Sequence, residues 1–194
     1  MCSFKMKELT EIRWHGRGGQ GAKTAAQFLA EAALDSGKFI QAFPEYGPER
    51  AGAPMRAYTR ISDKAINIHS GVTNPEAVVV IDPTLVTSEV LEGLPEDGIL
   101  VVNSSESPSE IRRKLGYRGG KLAAVDATKI ALETVKIPMP NTPMLGAFLK
   151  VMPVVSLEAL EEKIKDKFLK KIGEEKTNAN LEAIKRAYDE VKIG

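Results

Sequence analysis

Three short, continuous apolar runs in the middle of the chain are its clearest structural signal. They lie at residues 77–81 (AVVVI), 99–102 (ILVV) and 122–125 (LAAV). Continuous runs, unlike alternating ones, are expected for strands whose two faces are both covered by helices. Helical patterns follow these runs at residues 84–94, 109–115 and 127–135. The pattern therefore predicts βαβαβα units and a parallel sheet with right-handed crossovers.

The N-terminal pattern predicts a strand, a glycine loop and a helix. Residues 10–15 (TEIRWH) form the strand, which runs into the glycine cluster at residues 16–21 (GRGGQG). Small apolar residues then recur at helical spacing over residues 22–36, and Gly37 is placed to end that helix.

The next segment predicts strands and one irregular loop. We expect strands at residues 39–43, 55–61 and 65–69, with a turn at residues 62–64. The intervening residues 44–54 are rich in Gly and Pro, which favours a loop without regular structure.

Amphipathic helices are predicted for the C-terminal part. Thr142 followed by Pro143 is typical of a helix start, and apolar residues recur at helical spacing over residues 156–169 and again near the C-terminus. We predict one α/β domain over residues 1–194, a Rossmann-like three-layer domain with a mostly parallel sheet and C-terminal helices. Residues 10–150 would form the α/β core and residues 156–193 a helical extension.

Composition then excludes several classes of function. Lys and Arg number 27 against 26 Asp and Glu, so a net charge of +1 offers no bulk attraction for nucleic acid or an anionic membrane. The single cysteine, Cys2, cannot form an internal disulfide, a cysteine-ligated zinc site or an iron–sulfur cluster. No apolar run approaches the roughly 18–20 residues of a membrane span, and the N-terminus lacks the apolar region of a signal peptide. We therefore expect a cytoplasmic protein.

The glycine cluster has the spacing of a phosphate-binding loop. Gly16, Gly18 and Gly21 fit G-x-G-x-x-G between a strand and a helix, where the helix N-terminus favours an anion. The alternative is that the glycines only turn the chain into a tightly packed helix, and the two interpretations weigh about equally. A dinucleotide site would also need an acidic residue after the second strand, and Glu45, the nearest, lies in the Pro/Gly loop.

Other polar residues have simpler structural explanations. A polar residue follows each of three apolar strands, and these residues would lie at the ligand edge of the sheet: Asp82, Asn103 and Asp126. Helix capping is the simpler explanation for them. His15 and His69 are too isolated for a metal site or catalytic dyad, which favours hydrogen-bonded structural histidines.

Three blocks of the sequence resemble the gamma subunit of 2-oxoacid:ferredoxin oxidoreductases. They are HGRGGQGA at residues 15–22, EYGPERAGAPMR at residues 45–56 with RIS at residues 60–62, and NTPMLGA at residues 141–147. The blocks keep the family's order and spacing, and the resemblance covers about residues 11–188. The sequences GAPMR and NTPMLGA are most similar to those of the pyruvate-type members.

The resemblance implies one subunit of a larger enzyme. Such complexes convert pyruvate to acetyl-CoA and carbon dioxide and reduce ferredoxin, using thiamine diphosphate, Mg²⁺, iron–sulfur clusters and coenzyme A. Alpha and beta subunits would hold thiamine diphosphate, and a delta subunit would carry clusters. No cofactor is assigned to the gamma chain alone, which is expected to be inactive without these partners and to supply subunit contacts.

Under this resemblance, the glycine loop and the loop at residues 44–56 are expected to lie together. They would contact coenzyme A phosphates or position neighbouring subunits, because guanidinium groups bind phosphate and carboxylate bidentately. No catalytic residue and no metal ligand is assigned. The candidate residues are Gly16, Arg17, Gly18, Gly19, Gln20, Gly21, Glu45, Tyr46, Glu49, Arg50 and Arg56.

Three alternatives remain open at this stage. The chain could be a free-standing nucleotide-binding Rossmann-like enzyme, which would bind nucleotide alone. It could be a scaffold without any ligand, or it could belong to a complex specific for 2-oxoisovalerate, 2-oxoglutarate or indolepyruvate.

Overall fold

The computed structural model describes residues 8–46 and 52–194, with Tyr46 defined by its backbone only. Within this part of the chain one sheet is surrounded by helices. The strands are β1 (Leu9–Arg17), β2 (Phe39–Tyr46), β3 (Pro54–Ser62), β4 (Ala77–Val80), β5 (Ile99–Asn103), β6 (Lys121–Val125) and β7 (Lys192–Ile193). The helices are α1 (Ala22–Asp35), α2 (Pro108–Leu115), α3 (Ala127–Thr134), α4 (Asn141–Val151), α5 (Leu157–Ile172) and α6 (Glu174–Glu190).

The strand order across the sheet is β2-β3-β1-β4-β5-β6-β7. Strands β1, β4, β5 and β6 are parallel neighbours. Strand β3 is antiparallel to both β1 and β2, and β7 is antiparallel to β6. Five strands therefore share one direction, which confirms the mostly parallel sheet predicted from the apolar runs.

The apolar strands are buried on both faces, as their continuous composition predicts. Ala77 and Val79 pack into the larger core with α1, α3, α4, α5 and α6. Val78 and Val80 face the opposite way, into a smaller core that includes Ile111 of α2. The predicted three-layer α/β architecture is thus confirmed, and α5 and α6 share the larger core with α1 and α4.

Helix α1 ends where its glycine allows the chain to reverse. Gly37 has φ 82°, and its N–H donates to Leu34 O at 2.9 Å while that of Lys38 donates to Ala33 O at 3.1 Å. This pair of bonds is the Schellman pattern that satisfies the last carbonyl groups of a helix. The predicted stop at Gly37 is confirmed.

The strand predicted at residues 65–69 is wrong, because this segment is irregular. Its carbonyl groups are satisfied by side chains and not by a neighbouring strand. Gln41 Nε2 donates to Ile68 O at 3.0 Å, and Arg60 Nη2 donates to Ser70 O at 2.8 Å. Two side chains from β2 and β3 therefore hold residues 65–70 in the place where strand pairing was expected.

The helix predicted at residues 84–94 is also wrong. Two 3₁₀ turns, Pro83–Leu85 and Ser88–Leu91, occupy this segment. The Leu94 N–H donates to Leu91 O at 3.0 Å, in a three-residue step, while Val90 O accepts from the Arg13 side chain at 3.1 Å. The contact with Arg13 replaces the α-helical bond that Val90 O would otherwise accept.

Two further boundaries differ from the prediction. The loop expected at residues 44–54 is shorter, because β2 continues to Tyr46 and β3 begins at Pro54, with Glu45 opposite Arg56. Helix α4 begins at Asn141 and not after Thr142, whose hydroxyl instead meets Asn180 Oδ1 at 2.9 Å.

Candidate functional site

The loop between β1 and α1 is held closed by the side chain of Gln20. Its Oε1 accepts from the Arg17 N–H at 2.8 Å, and its Nε2 donates to Asp82, which follows β4. Gln20 N also donates to Arg17 O at 3.0 Å. The Gln20 side chain thus ties the loop to the residue that follows the adjacent strand β4.

Asp82 serves both the loop and the first 3₁₀ turn. It accepts from the Thr84 N–H at 2.8 Å and lies 3.5 Å from Arg17 Nε. Burial alone would raise the pKa of Asp82, but the hydrogen bonds from Thr84 and Gln20, with the Arg17 charge, outweigh it and lower that pKa. Asp82 is a cap, as predicted, that also anchors the glycine loop.

The other two strand-end residues divide between capping and bridging. Asp126 caps α3 by accepting from Lys129 N at 2.9 Å. Asn103 does not cap α2, whose cap is Ser107. Its amide instead bridges Ile81 O and the Thr128 hydroxyl, each at 2.8 Å.

The third glycine of the loop permits a close approach by α4. Gly21 has φ 80°, and a Cβ placed on it would lie 2.5 Å from Asn141 Nδ2. A side chain here would be strained and would also displace the first residue of α4. Two blocks that are far apart in the chain, HGRGGQGA and NTPMLGA, therefore meet at this contact.

Helices α4 and α6 complete the surroundings of the loop. Thr142 Oγ1 donates to Asn180 Oδ1 at 2.9 Å, and Asn180 Nδ2 donates to Lys176 O at 2.8 Å. Close packing continues one turn later, because a Cβ on Gly146 would lie 2.1 Å from Ile184 O. The third block thus fixes α6 against α4 beside the glycine loop.

These elements enclose a cavity of about 600 Å³, here called the glycine-loop cavity. Three of its walls are the N-terminal turn of α1, the start of α4, and one face of α5 and α6. It is lined by Gly18, Gly19, Gly21, Ala22, Lys23, Thr24, Met55, Val135, Ile137, Met139, Asn141, Phe168, Ile172, Lys176 and Asn180. A largely apolar cleft with a few polar groups has the usual character of a small-molecule site.

The polar groups of the glycine-loop cavity suit an anion. Asn141 is only 4% exposed, and its side-chain amide makes no hydrogen bond to any described residue. Lys23 and Lys176 are exposed, and neither forms an ion pair within the described ranges. The first N–H groups of α1, which have no partner within the helix, add a positive dipole end.

The backbone of the glycine loop itself is partly used by the fold. The N–H groups of Arg17 and Gln20 are bonded within the loop, and that of Gly18 donates to Ala53 O at 3.1 Å. The N–H groups left for a ligand therefore lie at the start of α1 and not along the whole loop. Arg17 Nη1 also donates to Gly52 O at 3.3 Å, so the described end of the loop at residues 44–56 lies beside the glycine loop.

The remaining predicted site residues do not all reach this cavity. Strand side chains alternate between faces, and Glu45 and Arg56 line a second cavity on the opposite face of the sheet, beside His15. Met55 borders both cavities. Gly16 lies under the loop, where an added Cβ would contact Ala22 Cβ at 3.2 Å. Tyr46 is placed by its backbone only, and Glu49, Arg50 and Cys2 lie outside the described residues.

The sequence analysis missed a buried polar network on that opposite face. Arg13 is 2% exposed, and its Nε donates to His15 Nε2 at 2.9 Å. Burial and the nearby Arg13 and Arg56 charges lower the pKa of His15 to about 3. The structural role predicted for His15 is confirmed, whereas His69 is exposed in the irregular segment. The signal available in the sequence was Arg13, a charged residue that lies between the apolar residues Ile12 and Trp14 in a predicted strand.

Glu45 belongs to the same network. Tyr58 OH donates to the Glu45 carboxylate, and burial together with this bond raises the pKa of Tyr58 to about 12. Glu45 therefore lies across the sheet from the glycine-loop cavity and cannot hold a ribose there. This geometry disfavours the dinucleotide interpretation of the glycine motif.

The fold and the joined blocks define the class of protein. Residues 11–190 match the model of the pyruvate ferredoxin/flavodoxin oxidoreductase family, and the chain belongs to that family.

The chain is 55% identical over 186 residues to the pyruvate synthase subunit PorC of Thermotoga maritima, covering 96% of each chain. It is 50% identical to the pyruvate/ketoisovalerate oxidoreductases common subunit gamma of Pyrococcus abyssi, covering 95% of this chain and 98% of the relative. The crystal structure of pyruvate oxidoreductase subunit PORC from Thermotoga maritima matches with a TM-score of 0.87 and 53% identity over 97% of this chain and 99% of the relative. The family and the gamma-type subunit function predicted from the sequence are thus confirmed.

Within residues 8–46 and 52–194, no helix has both the length and the apolar composition needed to cross a membrane.

Proposed function

We propose that this chain acts in the cytoplasm as the gamma subunit of a pyruvate:ferredoxin oxidoreductase and that its glycine-loop cavity contacts coenzyme A. The complex would oxidatively decarboxylate pyruvate to acetyl-CoA with reduction of ferredoxin. Thiamine diphosphate with Mg²⁺ would be held by alpha and beta subunits, and iron–sulfur clusters by a delta subunit. With Cys2 as its only cysteine, this chain has no cluster ligands to offer.

The observation that carries the coenzyme A proposal is the pairing of cationic and apolar groups in one cavity. The start of α1, Lys23, Lys176 and the Asn141 amide offer donors to a phosphate group. Val135, Phe168 and other apolar side chains supply a wall for the uncharged part of the molecule. Coenzyme A combines these properties, because it carries phosphates on a long and mostly uncharged body.

Exposed apolar residues at the cavity support the second role, contact with a neighbouring subunit. Ile137 is 47% exposed, and Met139 and Ile172 are each 38% exposed. Clustered apolar side chains at a surface are typical of interaction sites. We propose that a partner subunit covers them and closes the cavity around the bound coenzyme A.

The test compares two lysine variants in the reconstituted complex. Lys23→Gln removes a charge at the cavity, and Lys165→Gln removes one from an exposed position on α5 that does not line it. We expect Lys23→Gln to raise the KM for coenzyme A by roughly three- to tenfold, with subunit co-purification unchanged. A charge-assisted hydrogen bond contributes about 1.5–3 kcal/mol, and the effect expected here is smaller because Lys23 is exposed. Lys165→Gln should leave the KM unchanged.

Other outcomes would separate the alternatives. If the KM for coenzyme A is unchanged in Lys23→Gln and also in Asn141→Ala, coenzyme A does not bind in this cavity. Loss of partner subunits in Ile137→Ser, with normal KM in whatever complex assembles, would leave the chain as a scaffold only. Turnover by the isolated chain, or its tight binding of a nicotinamide nucleotide, would overturn the subunit proposal.

A further inference from the structure

We propose that a second cavity, on the face of the sheet opposite the glycine-loop cavity, binds a small aliphatic monocarboxylate. This cavity, here called the His15 pocket, has a volume of about 320 Å³. It is lined by His15, Glu45, Pro54, Met55, Arg56, Leu85, Thr87, Glu89 and Val90. Its chemistry differs from that of the glycine-loop cavity, and the sheet separates the two.

A buried cation, Arg13, lies in contact with His15 and forms no ion pair with a described carboxylate. Arg13 is almost fully buried, yet each of its described hydrogen-bond acceptors is formally neutral. Its Nε donates to His15 Nε2 at 2.9 Å, and its Nη2 donates to Val90 O at 3.1 Å and Glu92 O at 2.6 Å. Glu92 and Glu45 are near enough to favour the Arg13 charge, while Arg56 opposes it. Because no described carboxylate is in direct contact with Arg13, an anion bound nearby would offset part of the cost of burying that charge.

His15 directs a single donor toward the ligand. Its Nε2 accepts the proton of Arg13 Nε, and the imidazole is neutral because burial and the two arginines hold its pKa near 3. The ring proton is therefore on Nδ1. His15 is 6% exposed and lines the pocket, and no described residue accepts the Nδ1 proton.

Arg56 supplies the partner charge for a carboxylate. Its side chain is 39% exposed, and its one ion-pair contact among the described residues is a loose one, 3.8 Å from Glu92. The Glu45 carboxylate, which lies opposite Arg56 in the strand pairing, is occupied by Tyr58 OH. Arg56 also interacts with the Tyr58 hydroxyl, and its remaining guanidinium N–H groups are suited to form two parallel bonds to a carboxylate.

The walls and rim define the class of ligand further. Pro54, Met55, Leu85 and Val90 give apolar walls for a short carbon chain. Glu45 and Glu89 lie at the exposed rim, and Glu92 is close to Arg56. This negative rim repels a phosphate dianion more strongly than a monoanion, so we expect propionate to bind and inorganic phosphate to bind more weakly.

The chain contains two histidines, which makes the test simple. The imidazole nitrogens of the full-length, ¹⁵N-labelled chain are observed by long-range ¹H–¹⁵N correlation at pH 7.5, and His69→Gln assigns the two signals. Sodium propionate is titrated against sodium chloride at equal ionic strength, with propionamide and inorganic phosphate as separate probes. We expect saturable shifts of the His15 Nδ1 resonance with propionate, none with propionamide, and none for His69.

Two arginine variants test the geometry. Arg56→Gln should weaken propionate binding at least about tenfold, since a charge-assisted pair is lost. Arg118→Gln, at an exposed position outside the pocket, should leave it unchanged. Both substitutions alter side chains that reach solvent and leave Arg13 and His15 in place.

The proposal fails if propionate produces no saturable shift of His15, or if propionamide produces the same shift. It also fails if Arg56→Gln binds as tightly as the unmodified chain, or if phosphate binds more tightly than propionate. Because the assay uses the chain alone, its failure leaves the coenzyme A proposal, which is tested in the complex, untouched.

Discussion

Replacing Gly146 with alanine tests how closely α4 must approach α6. Alanine is favoured over glycine within a helix by about 1 kcal/mol, so local propensity alone predicts stabilisation. The tertiary structure predicts the opposite, because the new Cβ would lie 2.1 Å from Ile184 O and 2.9 Å from Ile184 C.

The size of the loss follows from what the new methyl group meets. Both atoms belong to the backbone of α6, so no side-chain rotation can make room. Ordinary contact begins near 3.4 Å, and the two helices must therefore separate by more than an ångström. Overpacking of this kind costs about 1–3 kcal/mol. With the clash at the upper end and propensity recovered, the net loss is about 2 kcal/mol.

The assay is urea unfolding followed by circular dichroism, with the amide resonances of Thr142 and Asn180 as a local readout. In a parallel thermal unfolding experiment, a loss of about 2 kcal/mol should lower the melting temperature of a chain of this length by roughly 4–8 °C. The matched control is Gly37→Ala, whose new Cβ meets nothing within 4 Å. It should cost about 1–2 kcal/mol through its left-handed φ, without shifting the resonances of Thr142 and Asn180.

A Gly146→Ala chain as stable as the unmodified one, with unshifted Thr142 and Asn180 resonances, would refute the reasoning. It would mean that α4 and α6 are not in the close contact on which the wall of the glycine-loop cavity depends.

Two further predictions concern buried polar groups. His15 should make the free energy of unfolding fall as the pH is lowered. Its pKa in the folded chain, about 3, lies below the unfolded value near 6.5. Its contribution to stability is therefore fully present above pH 6.5 and is lost as the pH falls toward 3. Between pH 6.5 and 5 the loss is about 2 kcal/mol, and urea unfolding at both pH values should show it in the unmodified chain but not in His15→Gln; equal slopes would contradict the prediction. Thr59→Val should destabilise the chain by about 2–4 kcal/mol, because Trp14 Nε1 donates to Thr59 Oγ1 at 3.1 Å and that hydroxyl donates to Ala26 O at 2.9 Å. Thermal unfolding measures it, and a loss below 0.5 kcal/mol would show that these groups find other partners.

Much of the fold could be predicted because local patterns and tertiary packing agree. The three apolar runs became β4, β5 and β6, and the alanine-rich stretch after the glycine loop became α1. The errors fell where a distant side chain took over the backbone. Residues 65–69 form no strand, because the side chains of Gln41 and Arg60 bind carbonyl groups of residues 65–70. Residues 84–94 form 3₁₀ turns and no α-helix, because the Arg13 side chain binds the Val90 carbonyl group.

The candidate site was predictable only in part. The glycine spacing correctly indicated a loop at the start of a helix, but Asn141, Lys176 and Asn180 reach the same cavity from α4 and α6. Nothing local to those residues marks them, because their role depends on the close approach that Gly21 allows. The clustering of Arg13, His15 and Arg56 was likewise hidden, since it needs β1 and β3 to pair in one register.

The sequence by itself determined the element types, the layered α/β architecture and the family, because short-range periodicity and contiguous residue blocks carry that information. Only the tertiary structure decided which face each site residue occupies. A shift of one residue in the register of β3 would exchange the faces of the sheet on which the side chains of Met55 and Arg56 lie. That register is set by the summed packing of the whole sheet. It is this packing that divides the predicted loop between the glycine-loop cavity and the separate His15 pocket.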